Sequence, residues 1–246
     1  MSEHSDFAQP VVDSPPWFWK VRTGRFFLLL ASFAVLGALV GLGVTSVPDD
    51  AASRYFKSIE GNPNLDIAMV AITTTGDASF LVVVGIVLTV IRRTRKAGMV
   101  FLIAIVVIAV TVMYIKPLVG RAVPPYDYQP AIKLPSGTIE SDSLAPFAAG
   151  FSFPSGHAAR ATALAFILGF AAYQRSHKVA YAIWAFPVII GITRVYLLQH
   201  YPSDIVGGMI FGFIISVVLA RTMKLEQPFS MNRFKKSEGK RTPSPP

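Results

Sequence analysis

Long apolar runs, separated by short polar segments, fill most of the chain between positions 26 and 220. A helix that crosses a bilayer needs about 20 consecutive, mostly apolar residues. Six runs come close to this length, at positions 26–47, 67–91, 97–115, 157–173, 179–196 and 204–220. The pattern therefore predicts an all-α fold, built as a bundle of six transmembrane helices.

The composition favours a membrane protein. Apolar residues make up 52% of the chain and charged residues only 15%, whereas soluble domains carry about 25% charged residues. The first run is too long for the core of a signal peptide, and we interpret it as an uncleaved membrane anchor. Because the chain has no cysteine, disulfides and thiolate metal sites are excluded.

Three regions are expected along the chain. Residues 1–25 form a cytoplasmic lead-in, residues 26–220 form the membrane domain, and residues 221–246 form a basic cytoplasmic tail. The tail is poor in apolar residues, which predicts disorder. The loop at 116–156 is long and rich in Pro, Gly and Ser, and we expect it to carry the functional site.

The net charge of +9 is distributed unevenly among the predicted loops. If successive loops alternate between the two sides of the membrane, most lysines and arginines fall on one side. This side should be cytoplasmic, because the inner loops of membrane proteins are enriched in Lys and Arg. Both termini are then cytoplasmic, the loop at 116–156 faces outward, and the charge needs no nucleic-acid partner. The compact loops suggest a prokaryotic plasma (inner) membrane, with the site on its periplasmic or extracellular side.

The run Pro154-Ser155-Gly156-His157 precedes a predicted helix. Ser155 is suited to cap this helix, and Gly156 lets a ligand approach the backbone closely. Free N–H groups at a helix start bind phosphate, and a histidine in the first turn can protonate a leaving oxygen. Taken alone, the run is also consistent with a simple helix cap.

A second group of polar residues follows the fifth apolar run. Arg194 lies near the outer end of that run, His200 in the next loop, and Asp204 near the start of the sixth helix. An arginine can bind two phosphate oxygens at once. Asp204 can accept one ring N–H of His200, which leaves the other nitrogen free to attack phosphorus. Each residue alone could be an ordinary loop or helix-end residue, but all three face the same side of the membrane.

Two cations stand at the start of the long outward loop. Lys116 ends the third run, and Arg121 follows in a stretch rich in Gly and Pro. Lysine binds phosphate as a point charge, and such a stretch allows the chain to wrap around an anion. Positive charge at the end of a span is also common without any ligand.

These segments resemble the signature of the type 2 phosphatidic acid phosphatase superfamily, which also includes the vanadium haloperoxidases. The superfamily pattern is Lys-x6-Arg-Pro, then Pro-Ser-Gly-His, then Ser-Arg-x5-His-x3-Asp. The second motif matches completely, and the third matches except that Thr193 replaces the serine and keeps a hydroxyl. In the first motif, Val123 stands where an arginine is expected before the proline.

The resemblance implies a metal-independent lipid phosphatase that needs no cofactor and acts on a phosphorylated membrane lipid. His200 would be the nucleophile that forms a phosphohistidine, and Asp204 would orient it. His157 would protonate the leaving alcohol and later help to activate water. A separate set of groups would hold the phosphoryl oxygens: Lys116, Ser155, Gly156 and Arg194.

Two further charged positions need an explanation. Since Val123 cannot supply charge, we hypothesise that Arg121 completes the phosphate-binding set, with Arg160 as a second candidate. Asp77 falls within the second predicted span, where a buried carboxylate is costly and is usually functional or paired. It either braces the catalytic helices or marks a span that begins later.

Other functions remain open. The same phosphohistidine would serve a phosphotransferase that passes a phosphoryl group to another lipid. A haloperoxidase would need bound vanadate, and the apolar spans favour a lipid substrate instead. A weakly active or non-catalytic lipid-phosphate-binding protein is the third alternative, because Val123 removes an expected cation. Phosphatidate, phosphatidylglycerophosphate, undecaprenyl diphosphate and lipid A phosphates all offer a suitable phosphoryl group, and the sequence does not choose among them.

Overall fold

The computed structural model describes residues 14–134, 138–139 and 146–227. Nine α-helices occur in these ranges: α1 (Gly24–Gly41), α2 (Ser46–Ile59), α3 (Pro63–Thr74), α4 (Ala78–Val90), α5 (Arg95–Val119), α6 (Gly156–Tyr173), α7 (His177–Ala182), α8 (Ala185–Tyr196) and α9 (Pro202–Thr222). A 3₁₀ turn spans Pro146–Ala148. The described ranges contain no β-strand, only an isolated antiparallel bridge between Ala122 and Phe151. The all-α prediction is confirmed.

Four helical segments are long and apolar enough to cross a membrane: α1, α5, α9 and the segment His177–Tyr196, which contains α7 and α8. A fifth results if α3 and α4, which meet at a bend of 49°, count as one broken span. The predicted run at 157–173 does form a helix, α6, but α6 is not among these candidates. The count of six membrane spans therefore stays a prediction.

Helix α6 lies at the centre of the bundle. It packs against α5, α7, α8 and α9, and most of its side chains are buried. Its contact with α9 is close because two glycines of α9 face its backbone. A Cβ atom on Gly212 would lie 2.3 Å from the carbonyl oxygen of Ala159, and one on Gly208 would lie 2.4 Å from that of Ser155. Small residues at such spacing bring membrane helices together.

The outer surface of the bundle is strongly apolar. Helices α1, α4 and α5 expose large aliphatic side chains such as Leu28, Val90 and Val106. A soluble protein rarely exposes an apolar surface of this extent. These faces are suited to contact lipid.

The basic residues gather at one end of the bundle, where α4 turns into α5. The ammonium of Lys96 donates to the carbonyl oxygen of Gln227 at 2.7 Å, beyond the end of α9. Arg221 of α9 donates to the carbonyl oxygen of Trp19 at 2.8 Å and stacks on the ring of Phe18. The described part of the predicted lead-in is thus packed against the bundle. Residues 1–13 of the lead-in and 228–246 of the tail lie outside the described residues.

The opposite end of the bundle holds the loop that follows α5. With 25 residues, α5 is about 37 Å long, so Lys116 lies far from the basic turn. Asp66 of α3 fixes the loop: it accepts hydrogen bonds from Tyr128 Oη at 2.9 Å, Ala131 N at 2.8 Å and Tyr196 Oη at 2.6 Å. Burial, together with the bond to Asp66, raises the pKa of Tyr128 well above its usual range, so its hydroxyl stays protonated. Residues 135–137 and 140–145 of this loop lie outside the described residues.

Candidate active site

Four helix ends meet at the end of the bundle opposite the basic turn. The last turns of α5 and α8 carry Lys116 and Arg194, and the first turns of α6 and α9 carry His157 and Asp204. His200 lies in the short connection from α8 to α9. The residues predicted from three separate motifs are therefore all at one end of the molecule and all buried.

The start of α6 has the predicted capped geometry. Ser155 is the N-cap residue, and its hydroxyl accepts a hydrogen bond from the N–H of Ala158 at 3.4 Å. The N–H of Ser155 itself donates to the carbonyl oxygen of Asp204 at 3.1 Å. This bond joins the second motif to the third, so that the N-terminal ends of α6 and α9 lie side by side. The partial positive charges of both helix starts favour an anion at this place.

Lys116 is almost fully buried, one turn before the end of α5. Its ammonium donates to the carbonyl oxygen of Phe151 at 2.8 Å. The N–H of Ser152 donates to the carbonyl oxygen of Arg121 at 2.8 Å. These contacts hold the chain after α5 against the chain before α6, which brings the first motif to the second.

Arg194 is also buried, with 1% of its surface exposed. Its carbonyl oxygen accepts from the N–H of Gln199 at 3.1 Å, and this bond turns the chain back toward His200. A charged side chain removed from water to this degree is costly unless it serves a bound or neighbouring anion. Arg194 lies in the last turn of α8, and its role as a phosphate ligand stays a prediction.

The sequence predicts that Asp204 accepts a ring N–H of His200, and the structure brings these two side chains close together. The Nδ1 atom of His200 lies 3.7 Å from Oδ2 of Asp204, slightly beyond a hydrogen bond. Catalytic hydrogen bonds often shorten only when substrate binds. The same carboxylate oxygen accepts from the N–H of Tyr201 at 2.8 Å, as part of a capping box at the start of α9. The carboxylate is thus held by its own helix and directed at one ring nitrogen.

Arg121 contacts Asp204, the carboxylate of this pair. One terminal nitrogen of its guanidinium is 3.3 Å from Oδ1 of Asp204 and also donates to the hydroxyl of Ser203. The other is 2.7 Å from Oδ2 of Asp49, a residue of α2. Asp49 in turn accepts from the hydroxyl of Ser203 at 2.6 Å. The structure therefore places Arg121 between two carboxylates, and its predicted role as a phosphate ligand stays a prediction.

The guanidinium of Arg121 also covers an aromatic ring. It lies 3.9 Å from the ring centroid of Tyr201. Burial, followed by the nearby charge of Asp50, raises the pKa of Tyr201. The phenol therefore stays neutral under ordinary conditions, and stacking with the cation adds to the rigidity of the turn before α9.

His157 is fully buried between two charged residues. Its Nε2 atom lies 2.9 Å from Oδ1 of Asp77, at the bend between α3 and α4. Its Nδ1 atom lies 3.2 Å from a terminal nitrogen of Arg160, one turn further along α6. Asp77 and Arg160, which the sequence left without a definite role, are thus both in contact with a predicted catalytic residue.

Two contributors to the site were not foreseen from the sequence. Asp49 and Ser203 support Asp204 through Arg121. Asp49 lies outside the three motifs, and Ser203 occupies an unspecified position of the third. Asp49 is buried in the structure, but its position in a predicted outward loop gave no sign of this. Among the described residues, no group of three or more His, Asp or Glu side chains is arranged to hold a metal ion.

Comparison with known proteins assigns this arrangement to a family. A family model described as the PAP2 superfamily matches residues 78–228, more than half of the chain. The undecaprenyl-diphosphatase BcrC of Bacillus subtilis is 32% identical over 87 residues, which is 35% of this chain and 43% of that relative. The chain thus matches less than half the length of BcrC. Phosphatidylglycerophosphatase B of Bacillus subtilis is 27% identical over 198 residues, covering 76% of this chain and 89% of that relative.

The fold has a relative among solved structures. The crystal structure of a transmembrane PAP2-type phosphatidylglycerolphosphate phosphatase from Bacillus subtilis superposes with a TM-score of 0.67 at 22% identity. The match covers 85% of this chain and all of that chain. Likeness at this identity establishes the fold. The chain, an integral membrane protein, therefore belongs to the PAP2 superfamily.

Proposed function

We propose that this protein is a lipid phosphatase that hydrolyses a phosphate monoester or diphosphate ester of a membrane lipid through a phosphohistidine. The observation that carries the proposal is the meeting of His200, Asp204 and His157 with the cations Lys116 and Arg194 at one end of the bundle. The relatives' activities support the same class of substrate.

In the first step, His200 attacks phosphorus through Nε2. Asp204 faces Nδ1 at 3.7 Å. When substrate binding shortens this contact to a hydrogen bond, the proton of the neutral ring is held on Nδ1 and the lone pair on Nε2 is available. The P–O bond to the lipid breaks as the N–P bond forms, and His157 gives a proton to the departing oxygen. The carboxylate stabilises the positive charge that develops on the imidazole.

In the second step, water replaces the histidine. His157, now neutral, accepts a proton from the water as its oxygen attacks phosphorus. The N–P bond breaks, inorganic phosphate forms, and His200 returns to its neutral state. Splitting one slow displacement into two steps, each with a positioned acid or base, is the usual advantage of a covalent intermediate.

The side chains that surround the reacting phosphorus supply the positive charge. Lys116 and Arg194, with the N–H groups at the start of α6, are placed to bind the equatorial oxygens. Charge in a buried site acts in a low dielectric and needs no reorganisation during the reaction. We therefore propose that the reaction is independent of a metal ion, and that activity persists in EDTA and is lost in vanadate.

The site faces the outer side of the membrane in this proposal. The basic turn between α4 and α5 lies at the other end of the bundle and would be cytoplasmic. A phosphorylated lipid would enter from the outer leaflet, keeping its tails in the hydrocarbon layer while its headgroup reaches the helix ends.

The decisive experiment is a panel of lipid phosphates assayed for release of inorganic phosphate in detergent. Short-chain phosphatidate, phosphatidylglycerophosphate, undecaprenyl diphosphate and lipid A are compared for the wild-type protein and for His200→Ala. We expect at least one lipid to be hydrolysed and His200→Ala to be inactive while its melting temperature is preserved. Equal rates for the two proteins would overturn the mechanism. Transfer of labelled phosphate to an alcohol instead of water would identify a phosphotransferase.

A further inference from the structure

We propose that Asp77 is a positioning residue for His157: it holds the Nε2–H of the ring, so that Nδ1 carries the proton that moves during catalysis. This inference rests on the proposed function, because it assigns a role within the same site. Asp77 lies outside the three motifs that define the resemblance to the superfamily. It is contributed by the bend between α3 and α4.

Two contacts of His157 favour one position for the hydrogen of its ring. A terminal nitrogen of Arg160 lies 3.2 Å from Nδ1. A guanidinium has only donors, so Nδ1 must offer its lone pair. The hydrogen of the neutral ring is then on Nε2, where Oδ1 of Asp77 accepts it at 2.9 Å. The two neighbours agree on one tautomer, in which the basic nitrogen is Nδ1.

The backbone around Asp77 is arranged for this contact. Asp77 is the N-cap residue of α4, a position where aspartate usually binds the N–H groups of its own helix. Here the side chain makes no capping hydrogen bond, and its carboxylate is directed at His157 instead. The helix gives up a favourable local bond, which is the pattern expected when a side chain is committed to another group.

Gly76 provides a second, independent observation. A Cβ atom at this position would lie 3.2 Å from Cδ2 of His157 and 3.0 Å from Cγ2 of Ile190. The backbone at the bend therefore passes directly against the imidazole, and only glycine leaves room for it without a shift of its neighbours. The bend of 49° and the glycine together bring the carboxylate to the ring.

The tautomer has a consequence for the proton transfers. In the protonated ring, Nδ1 has no lone pair for Arg160, so the guanidinium turns to the substrate oxygens. Nδ1–H is then given to the leaving oxygen, and the neutral ring that results keeps its Nε2–H on Asp77. Water later returns a proton to Nδ1, which restores the starting state. Arg160, next to Nδ1, then lies beside the leaving oxygen, where its charge would stabilise the developing alkoxide.

A purely structural ion pair is the alternative, and the leaving group distinguishes the two. An alcohol leaves only when it is protonated, whereas p-nitrophenolate leaves without help. If Asp77 acts through His157, Asp77→Ala should lower kcat/KM for short-chain phosphatidate by about 10²-fold, the lower range for general acid catalysis. The kcat/KM for p-nitrophenyl phosphate should fall much less, because it reports only the first step and this leaving group needs no acid. Asp77→Asn, which keeps a hydrogen-bond acceptor, should recover part of the loss.

The control is Asp66→Asn on α3. Asp66 is a buried carboxylate that serves Tyr128 and Tyr196 rather than a catalytic residue. We expect its substitution to lower the melting temperature and to change kcat/KM for both substrates by the same factor. If Asp77→Ala also lowers kcat/KM for both substrates equally, Asp77 is only structural and the inference is wrong.

A double variant tests the same point in another way. Once His157 is removed, a residue that acts through it has nothing left to position. The rate for p-nitrophenyl phosphate should therefore be the same in His157→Ala and in His157→Ala/Asp77→Ala. A further loss in the double variant would show that Asp77 acts by another route.

Nitrogen NMR of the protein labelled with ¹⁵N-histidine identifies the tautomer and does not require an activity assay. The chain has 4 histidines, and the signals of His157 are assigned as those lost in His157→Gln. We expect hydrogen on Nε2 in the wild type and a shifted Nε2–H signal in Asp77→Ala, because that hydrogen has lost its acceptor. Hydrogen on Nδ1 in the wild type would overturn the inference. If no lipid is hydrolysed at all, the proposed function fails, but the NMR result still decides the positioning role.

Discussion

At the scale of single residues, each of the two histidines has a carboxylate of its own. Asp204 lies four residues after His200 and is directed by the start of its helix, whereas Asp77 reaches His157 from a distant bend. The two rings thus have separate partners, which suits two separate tasks, attack and proton transfer. The backbone N–H of Val123 donates to the carbonyl oxygen of Gly150 at 3.3 Å. Its side chain contributes no charge to either pair.

Replacing Asp204 by asparagine should remove most of the activity. The amide cannot stabilise the charged imidazole and can favour the wrong tautomer of His200, a change that costs about 10⁴-fold in a comparable triad. We expect a kcat loss of about this order with a smaller change in KM, measured by phosphate release. Asp50→Asn, a nearby carboxylate of α2 outside the site, is the matched control and should retain activity. A variant Asp204→Asn with wild-type kcat would contradict the assignment.

Arg121 offers a test between two roles. If it supports Asp204, Arg121→Gln leaves Asp49 and Asp204 without their shared cation, and breaking such a buried pair costs about 3–5 kcal/mol. The melting temperature should then fall together with kcat. The double variant Asp49→Asn/Arg121→Gln should lose less stability than the two single changes combined.

If Arg121 instead binds phosphate, as the sequence predicts, its substitution should have a different effect on stability and on binding. A direct ligand would mainly weaken inhibition by vanadate and raise KM, while the melting temperature stays constant. Measuring vanadate inhibition and thermal unfolding on the same variant therefore separates the two roles. Full activity in Arg121→Ala would exclude both.

At the scale of elements, the site depends on where helices end and how closely they approach. The N-terminal ends of α6 and α9 are joined by the bond from Ser155 to Asp204, and the glycines of α9 allow this contact. The bend between α3 and α4 has the same kind of role for Asp77. A continuous helix over the predicted span at 67–91 would carry that carboxylate on a straight helix and not at a bend.

Gly212→Ala should lower stability. Its Cβ would meet the carbonyl oxygen of Ala159 at 2.3 Å, so α6 and α9 must separate. Overpacking of this kind costs about 1–3 kcal/mol. The control is Gly24→Ala in α1, where nothing lies within 4 Å of the added atom, and which should be neutral or slightly stabilising. Thermal unfolding in detergent measures both, and an unchanged melting temperature for Gly212→Ala would contradict the close packing.

At the scale of the whole molecule, the basic residues and the candidate active site lie at opposite ends of the bundle. The turn between α4 and α5 and the end of α9 carry the basic groups, and the proposed catalytic residues lie at the other end of α5. This separation favours one orientation in the membrane, with the site outside. Substrate would then meet the enzyme in the outer leaflet.

The orientation can be tested with single cysteines, because the chain has none. Ser58, near the end of α2, and Gln174, just after α6, are exposed at the two ends of the bundle. We expect a membrane-impermeant thiol reagent added to intact cells to label Ser58→Cys and to spare Gln174→Cys until the cells are opened. The reverse pattern would place the site in the cytoplasm.

The local features of the site were determined by the sequence itself. Apolar runs of bilayer length predicted helices, and the cap at Ser155 and the pair His200–Asp204 followed from residues that are neighbours along the chain. Such features depend on helix geometry and short-range hydrogen bonds, which act within a few residues. The three motifs could therefore be recognised, and in the structure they lie at one end of the bundle.

Only the tertiary structure decided how the site is supported. Asp77 and His157 are 80 positions apart, and Asp49 and Arg121 are 72 apart. Pairs at such distances depend on how helices pack, on the bend at 75–77 and on glycines that permit close approach. The pairing of buried charges cannot be read from periodicity along the chain. It depends on which charges the packed helices bring together, because a charge left unpaired in the interior costs free energy.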